Sequence, residues 1–263
     1  MTKAEMPQIG LKLWAPNVGG YLREATRLVA DRQCDYVELY TSPDCAKYLP
    51  MWQETALPFV IHCAHSAHEF NLSKAGAYDI NHRLFGEAVE YLRALKARWI
   101  IVHPGILGRV EETVGQLNRL MSAFDVQPHE VLVENKPFIN LRDEPCVGAS
   151  PESVAQIKEE CGTGFVLDVG HAIKYAIGAG RPYESVLSQL MTLQPEMLHV
   201  SDALMSHPKD EHLHFGRGEF DFESIFAICR APYISIETVK DHPERLDDFI
   251  EDTRILKAFL NKG

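Results

Sequence analysis

The sequence predicts an α/β protein built as a single (β/α)8 barrel, and three observations support this fold class. Short runs of β-branched and aromatic residues alternate with longer amphipathic stretches along all 263 residues. Hydrophobic residues make up 46% of the chain and charged residues 24%, which is typical of a globular protein with a large core. No Ser/Pro-rich linker interrupts the alternation, so we expect one domain spanning residues 1–263.

Eight strand–helix alternations indicate a closed parallel barrel with its site at the C-terminal strand ends. The predicted strands are 8–14, 36–41, 59–65, 99–103, 130–134, 165–168, 197–201 and 233–237. The predicted helices are 20–30, 78–97, 110–124, 151–160, 182–193, 222–230 and 243–260, with a weaker one over 46–56. A doubly wound open sheet is the alternative architecture, but the chain lacks the Gly-x-Gly-x-x-Gly turn of its nucleotide-binding form.

Composition restricts the possible partners and the compartment. The formal charge of −11 argues against a broadly basic surface for nucleic acid. No apolar run is long enough for a membrane span, and no protein partner is implied. The six cysteines are scattered without a Cys-x-x-Cys pair, which favours reduced thiols and a cytoplasmic location.

Six consecutive predicted strands carry an imidazole or a carboxylate at or near their C-terminal ends. These residues are His65, His103, Glu134, Asp168, His199 and Glu237. A single residue of this kind is more often a satisfied hydrogen-bonding group than a ligand. Several carboxylates that converge on one barrel mouth repel one another unless cations neutralise them, so the pattern predicts metal binding.

Two further spacings add ligand types to the same rim. Asp168 and His171 lie three residues apart across a predicted strand-to-loop turn, and Asp210 and His212 alternate along an extended loop. That loop continues into Gly216-Arg217-Gly218, whose glycines permit a close approach to the site. Oxygen and imidazole ligands without thiolate favour Zn, Mn or Fe.

The dispersed motifs resemble the endonuclease IV family within the xylose isomerase-like TIM barrel superfamily, over nearly the full chain. They include Ile9-Gly10, Gly19-Gly20, His65 before Asn71-Leu72, His103-Pro104-Gly105, Glu134-Asn135, Asp168-x-x-His171, His199-x-x-Asp202, Asp210-x-His212, Gly216-x-Gly218 and Glu237-Thr238. All nine metal-ligand positions of that family are matched.

The resemblance implies a trinuclear centre, with up to three Zn ions, that activates a hydroxide for phosphoester hydrolysis. One ion would be held by His65, His103 and Glu134; a second by Glu134, Asp168, His199 and Glu237; and a third by His171, Asp210 and His212. Glu237 and Glu134 would be the catalytic carboxylates. Abasic DNA is the substrate that the family implies.

Two departures from the family leave the substrate open between abasic DNA and a smaller phosphoester. The loop 41–45 after the second strand contains no arginine. Ser66-Ala67-His68-Glu69 places a histidine and an acid where the family inserts wedges into the duplex. The side chains that we expect to contact substrate are Arg217, His68, Trp14 and Asn17.

Sugar isomerases and epimerases of the same superfamily are the alternative. They hold one metal with residues that match Glu134, Asp168, His199 and Glu237, and they use Glu134 and Glu237 to move a proton beside a carbonyl. That alternative leaves the remaining predicted ligands unexplained. A barrel without catalytic activity is a third class, because fold does not determine function. His62, three residues before His65, is expected to line the barrel or to support a ligand by a hydrogen bond.

Overall fold

The computed structural model describes residues 6–260 and confirms the barrel. Eight parallel strands close in the order β1-β2-β3-β4-β6-β8-β9-β10, with β10 pairing back to β1. Their bounds are β1 (Gln8–Trp14), β2 (Tyr36–Tyr40), β3 (Phe59–His62), β4 (Ile100–Val102), β6 (Val131–Glu134), β8 (Gly164–Asp168), β9 (Met197–Val200) and β10 (Tyr233–Ile236). Two short strands, β5 (Gly105–Ile106) and β7 (Cys146–Val147), form a separate antiparallel pair.

Helices follow the strands and pack their apolar faces on the outside of the barrel. Their bounds are α1 (Gly19–Ala30), α2 (Leu49–Gln53), α3 (Tyr78–Ala94), α4 (Val110–Ala123), α5 (Pro151–Cys161), α6 (Val169–Ala179), α7 (Tyr183–Met191), α8 (Phe222–Ile228) and α9 (Asp247–Leu260). Among these described residues, no helix has the length and apolar character needed to cross a membrane.

Side chains inside the barrel form an apolar layer below a polar layer. The apolar layer is a compact cluster of buried residues that includes Tyr36, Val60, Ile101, Leu132, Val166 and Met197. The polar layer consists of the residues two positions after these in the sequence, and all of them are buried: Glu38, His62, His103, Glu134, Asp168 and His199. Alternate residues of a strand share a face, so the polar set points into the barrel above the apolar layer.

The predicted boundaries hold within one residue for every barrel strand except the third. We predicted that this strand extends to His65, but β3 ends at His62. The His65 ring accepts a hydrogen bond from the Ala67 amide at 3.2 Å and thereby caps a short 3-10 turn over 66–68. His62 is therefore the last residue of the strand, and His65 lies in the following loop.

The sequence reasoning missed α6, and it placed the start of α9 too early. Asp168 ends β8 and also begins α6, because its Oδ1 accepts the His171 backbone N–H at 2.6 Å as a helix N-cap. The Asp168–His171 spacing is therefore a strand-to-helix junction. The predicted helix 243–260 begins only at Asp247. The preceding segment contacts α1 instead, where the Tyr21 hydroxyl donates to the His242 carbonyl.

Candidate metal centre

A cavity of about 370 Å³ lies at the C-terminal mouth of the barrel. Histidines and carboxylates line its floor, and the segment 136–146 lines one side together with Ile106 of β5. Its charged and imidazole lining residues are Lys12, His65, His103, Glu134, Lys136, Arg142, Glu144, His171, Asp210, His212 and Glu237. Small-molecule sites usually have volumes in the range of about 300–1,000 Å³, so this cavity has the size of a small ligand.

Four groups of side chains at this mouth bring possible ligand atoms within 4.8 Å of one another. They are Glu134 with Asp168 and His199; His171 with Asp210 and His212; His62 with His103 and Glu134; and Glu38 with His62, His199 and Glu237. His62, Glu134 and His199 each belong to two of these groups. The polar layer therefore holds nitrogen and oxygen donors in overlapping sets.

The β8–α6 junction orients two of these residues. Its N-cap hydrogen bond holds the Asp168 carboxylate at the start of α6, one turn from His171. The His171 Nδ1 lies 2.9 Å from the Asn135 carbonyl, and its Nε2 lies 3.5 Å from Asp210 Oδ2. At metal sites, a backbone carbonyl often accepts a hydrogen bond from one ring nitrogen of a histidine and thereby orients the other nitrogen toward the metal ion.

A buried aspartate organises the loop that carries Asp210 and His212. Asp202 accepts the backbone N–H groups of Gly216, Gly218 and Phe220 at 2.9–3.2 Å. A Cβ on Gly218 would collide with the Asp202 carboxylate, so this position requires glycine. The loop thus folds back on the barrel and places His212 Nε2 at 2.8 Å from Asp210 Oδ2.

Lys174 connects the same loop to α6. This fully buried ammonium donates to the carbonyls of Leu204 and His207 and to Glu211 Oε2, at 2.5–3.1 Å. All three of its N–H donors are therefore used within the protein. Lys174 stabilises the position of Asp210 but does not face the cavity.

Lys12 and Glu38 face the barrel mouth from β1 and β2. Lys12 Nζ contacts Glu237 Oε1 and lies 3.3 Å from Glu38 Oε1. Glu38 Oε2 accepts from Ser235 Oγ at 2.5 Å and lies 2.9 Å from His199 Nε2. The opposite His199 nitrogen, Nδ1, lies 2.7 Å from Glu237 Oε1.

Protons balance the carboxylates in this arrangement. Burial lowers the pKa of His171, but the carboxylates of Asp168, Asp210 and Glu134 together outweigh burial and raise that pKa to about 10. Burial raises the pKa of Asp168 to about 6, against the opposing effect of His171. Burial also raises the pKa of Glu134, yet His103 and His199 hold it well below its usual range. The barrel mouth therefore concentrates negative charge, which imidazolium protons or metal ions neutralise.

Orphaned buried atoms test whether metal ions fit these residues. Within residues 6–260, several buried polar atoms at the barrel mouth make no hydrogen bond of good geometry. They are Glu38 Oε1, His103 Nε2, Glu134 Oε1, His199 Nδ1 and Nε2, Asp210 Oδ1 and His212 Nδ1. Buried polar groups normally have partners, and these atoms are of the types that divalent ions bind. The donor set therefore fits divalent metal ions.

The structure places eight of the nine expected ligands in the four ligand groups, and these eight are His103, Glu134, Asp168, His171, His199, Asp210, His212 and Glu237. The ninth, His65, lines the cavity but belongs to none of the groups found among the described residues. Its ring stacks on His103 at 5.5 Å while its Nδ1 accepts from Ala67. The ligand roles of all nine remain predictions.

The four expected substrate contacts lie outside the cavity lining. Trp14 is 47% exposed, and its ring lies 5.0 Å from Tyr40 and 6.0 Å from His68. Asn17 accepts from the Trp14 amide, and Arg217 is exposed on the loop after His212. These residues form or flank the rim, and their contact with substrate stays a prediction.

Sequence reasoning overlooked Lys12 and Glu38 and gave His62 only a supporting role. His62 Nε2 lies 3.1 Å from Glu134 Oε2, one of the expected ligands, and its supporting role stays a prediction. His62 Nδ1 faces the Cys63 carbonyl at 2.9 Å, so its other nitrogen is also a possible ligand. A signal for the overlooked pair existed, because each is a charged residue inside an otherwise apolar strand. Only the structure shows that Lys12 is in register with Glu38.

Comparison with known families identifies the class. A family model described as xylose isomerase-like TIM barrel matches residues 27–259, and the chain therefore belongs to this family. No curated protein sequence matches the chain.

Solved structures with this fold include enzymes of two kinds. Endonuclease IV from Thermus thermophilus is 20% identical with a TM-score of 0.72, covering 98% of this chain and 100% of its own. A D-tagatose 3-epimerase-like protein is 18% identical with a TM-score of 0.73, covering 97% of both chains. Another Thermus thermophilus protein, soaked with ZnCl2, is 18% identical with a TM-score of 0.70, covering 97% of this chain and 99% of its own. At these identities the likeness establishes the fold.

Proposed function

We propose that the protein is a metal-dependent hydrolase of small phosphoesters with a multinuclear centre. One observation carries the proposal: a second ligand group, formed by His171, Asp210 and His212, borders the same cavity as Glu134 and Glu237. A sugar isomerase with one metal does not need this second group. The endonuclease IV neighbour supports phosphoester chemistry on this fold.

Divalent ions in these groups would act as Lewis acids on phosphate oxygens. Glu134, Asp168 and His199 would hold one ion, and His171, Asp210 and His212 another. Zinc suits such sets of imidazole and carboxylate donors, and Mn or Fe are alternatives. An ion held by His65, His103 and Glu134 would bring the total to the three that the resemblance implies.

Cationic side chains of the cavity wall would bind the substrate anion. Lys136 and Arg142 both line the cavity, and Lys136 Nζ lies 3.1 Å from His103 Nδ1. No carboxylate among the described residues forms an ion pair with either of them. An arginine fork and a lysine ammonium suit phosphate oxygens, so these two would orient the ester over the ligand groups.

The cavity favours a small substrate over duplex DNA. The segment 136–146 forms one side of a space of about 370 Å³, and Leu141 and Arg142 at its turn are exposed. A formal charge of −11 also opposes the phosphate backbone of a duplex. The substrate class that we propose is therefore a small phosphate ester, such as a phosphorylated sugar or a dinucleotide.

Sugar isomerisation is the second candidate, and one contact favours it. The Glu134 and Glu237 carboxylates both approach His199 Nδ1, at 3.2 and 2.7 Å. They therefore approach one position from two strands that are not neighbours, β6 and β10, and a pair that transfers a proton on either side of a sugar carbon must also converge from two directions. The epimerase-like neighbour supports this candidate.

Asp210→Asn separates the two functions. The purified protein, loaded with Zn or Mn, would be assayed on bis(p-nitrophenyl) phosphate, phosphorylated sugars, an abasic duplex and keto sugars. A hydrolase that uses the second group should lose at least about 100-fold of kcat/KM in this variant, because a ligand is lost. An isomerase that uses only the first group should keep its activity.

Asp143→Asn is the matched control, since Asp143 is exposed and pairs only with Lys209 in the described structure. Its kcat/KM should remain close to the native value. Metal-loaded native protein without activity on any phosphoester, but with keto-sugar turnover that survives Asp210→Asn, would replace the hydrolase by the isomerase.

A further inference from the structure

We propose that the Lys12 ammonium is a resident cation of the metal centre. It fills the group formed by Glu38, His62, His199 and Glu237, so that this group takes no divalent ion. The inference rests on the metal binding of the proposed function but not on hydrolysis. It also assigns a role to the two buried charges that no expected ligand set includes.

Strand register brings Lys12 to this position. Lys12 lies opposite Glu38 in the β1–β2 pair, and Leu11 lies opposite Ile236 in the β1–β10 pair. Glu237 follows Ile236 directly, so Lys12 stands between Glu38 and Glu237 on neighbouring strands. Its ammonium contacts Glu237 Oε1 and lies 3.3 Å from Glu38 Oε1. Two of the four residues in this ligand group thus already share one cation.

The floor below Lys12 is closed. Tyr36 lies across the barrel where Gly10 of β1 leaves room, because a Cβ on Gly10 would collide with the Tyr36 ring. The Tyr36 hydroxyl contacts Ser235 Oγ at 2.9 Å, and Ser235 donates to Glu38. The lysine side chain therefore has no space to withdraw downward, and its ammonium stays at the level of the carboxylates.

Both oxygens of Glu38 lie close to a donor or a cation. Oε2 accepts from Ser235 and lies 2.9 Å from His199 Nε2, while Oε1 makes no hydrogen bond of good geometry and lies 3.3 Å from the Lys12 ammonium. A metal ion bound to Glu38 would have to displace one of these contacts and would meet the ammonium at close range in a buried site. Like charges in such surroundings repel strongly. Glu38 is therefore a partner of cations and not a ligand in the native chain.

This arrangement has a consequence for His199. His199 Nε2 lies 2.9 Å from Glu38 Oε2, and Nδ1 on the other side of the ring faces Glu134 and Glu237. Carboxylate–histidine pairs of this kind orient metal ligands. Lys12 itself borders the cavity with a side chain that is 17% exposed. Two of the Lys12 N–H groups face Glu237 and Glu38, so the third can donate to an anionic substrate. It would do so from the side of the cavity opposite the group formed by His171, Asp210 and His212.

Zinc stoichiometry tests the proposal without an activity assay. Native protein, Lys12→Met, Lys12→Arg and a control, Lys158→Met on the outer helix α5, would be saturated with Zn, freed of excess metal, and measured by inductively coupled plasma mass spectrometry. We expect Lys12→Met to bind one more ion per chain than the native protein. Lys12→Arg and Lys158→Met should bind the native number.

A second measurement needs no variant. Anomalous diffraction from native crystals soaked with Zn or Mn should show no ion at ligand distance from Glu38, with Lys12 still on Glu237. An ion on Glu38, or equal stoichiometry in native and folded Lys12→Met protein, would overturn the role of Lys12 and leave the proposed function standing. Absence of bound metal from both proteins would overturn both.

Discussion

The two sides of the barrel mouth meet the same electrostatic problem in different ways. The ligand side, formed by Glu134, Asp168, His171, Asp210 and His212, joins carboxylates to imidazoles with several orphaned buried atoms. The lysine side, formed by Lys12 and Glu38, joins a carboxylate to an ammonium that cannot dissociate. Glu38 Oε2 accepts a hydrogen bond from Ser235, whereas Oε1 makes no hydrogen bond of good geometry and lies 3.3 Å from the ammonium.

The two sides differ in whether a metal ion can replace their positive charge. A proton on His171 can leave when a metal ion arrives, because imidazole is a ligand once it is neutral. The Lys12 ammonium cannot leave in this way. Burial lowers its pKa, but Glu237, Glu38 and Glu134 together raise it by more, and the pKa remains above its ordinary value. The positive charge on the ligand side can therefore be exchanged for a metal ion, whereas the positive charge of Lys12 is permanent.

Glu134→Gln should have the largest effect, because Glu134 belongs to two ligand groups. We expect the affinity for Zn to fall by at least about 100-fold and hydrolysis to become undetectable, since an amide is a neutral and weaker ligand. Isothermal titration with Zn and a phosphoester assay measure the two effects. Glu159→Gln, an exposed change on α5, serves as the control. Native affinity in the Glu134 variant would remove Glu134 from the metal centre.

Glu38→Gln should have an intermediate effect, which sharpens the distinction between ligand and support. Loss of the Glu38 charge weakens the orientation of His199, and changes to the partners of metal ligands cost about 10–100-fold in metal affinity. The same titration measures it, with circular dichroism to confirm folding. A loss as large as that of Glu134→Gln would mean that Glu38 is itself a ligand, in conflict with the role given to Lys12.

Trp14→Ala should have the smallest effect, because Trp14 lies at the rim beside Tyr40 and outside the cavity lining. Loss of an aromatic contact worth about 0.5–1.5 kcal/mol would raise KM by about 2–10-fold. Neither kcat nor metal content should change. Met51→Ala, which removes an exposed apolar side chain outside the cavity, should leave KM unaltered. An unchanged KM in the Trp14 variant would exclude this rim from substrate binding.

The sequence by itself determined the barrel and most of the polar layer. Strand and helix periodicities are local properties, so eight alternations of period and their approximate bounds follow from the chain. The rule that parallel barrels place their sites at the C-terminal strand ends then selects Glu134, Asp168 and His199. The Asp168-x-x-His171 spacing was equally visible, although its helix-capping geometry was not.

Tertiary structure alone decided which residues share a cation. Lys12 and Glu237 are 225 positions apart, and only the closure of β10 onto β1 brings them together. We predicted His65 as the last residue of β3, but the strand ends at His62. The His65 ring instead accepts a hydrogen bond from the Ala67 amide in the following loop. Register and side-chain direction are set by contacts between distant segments, and local periodicity carries no information about them.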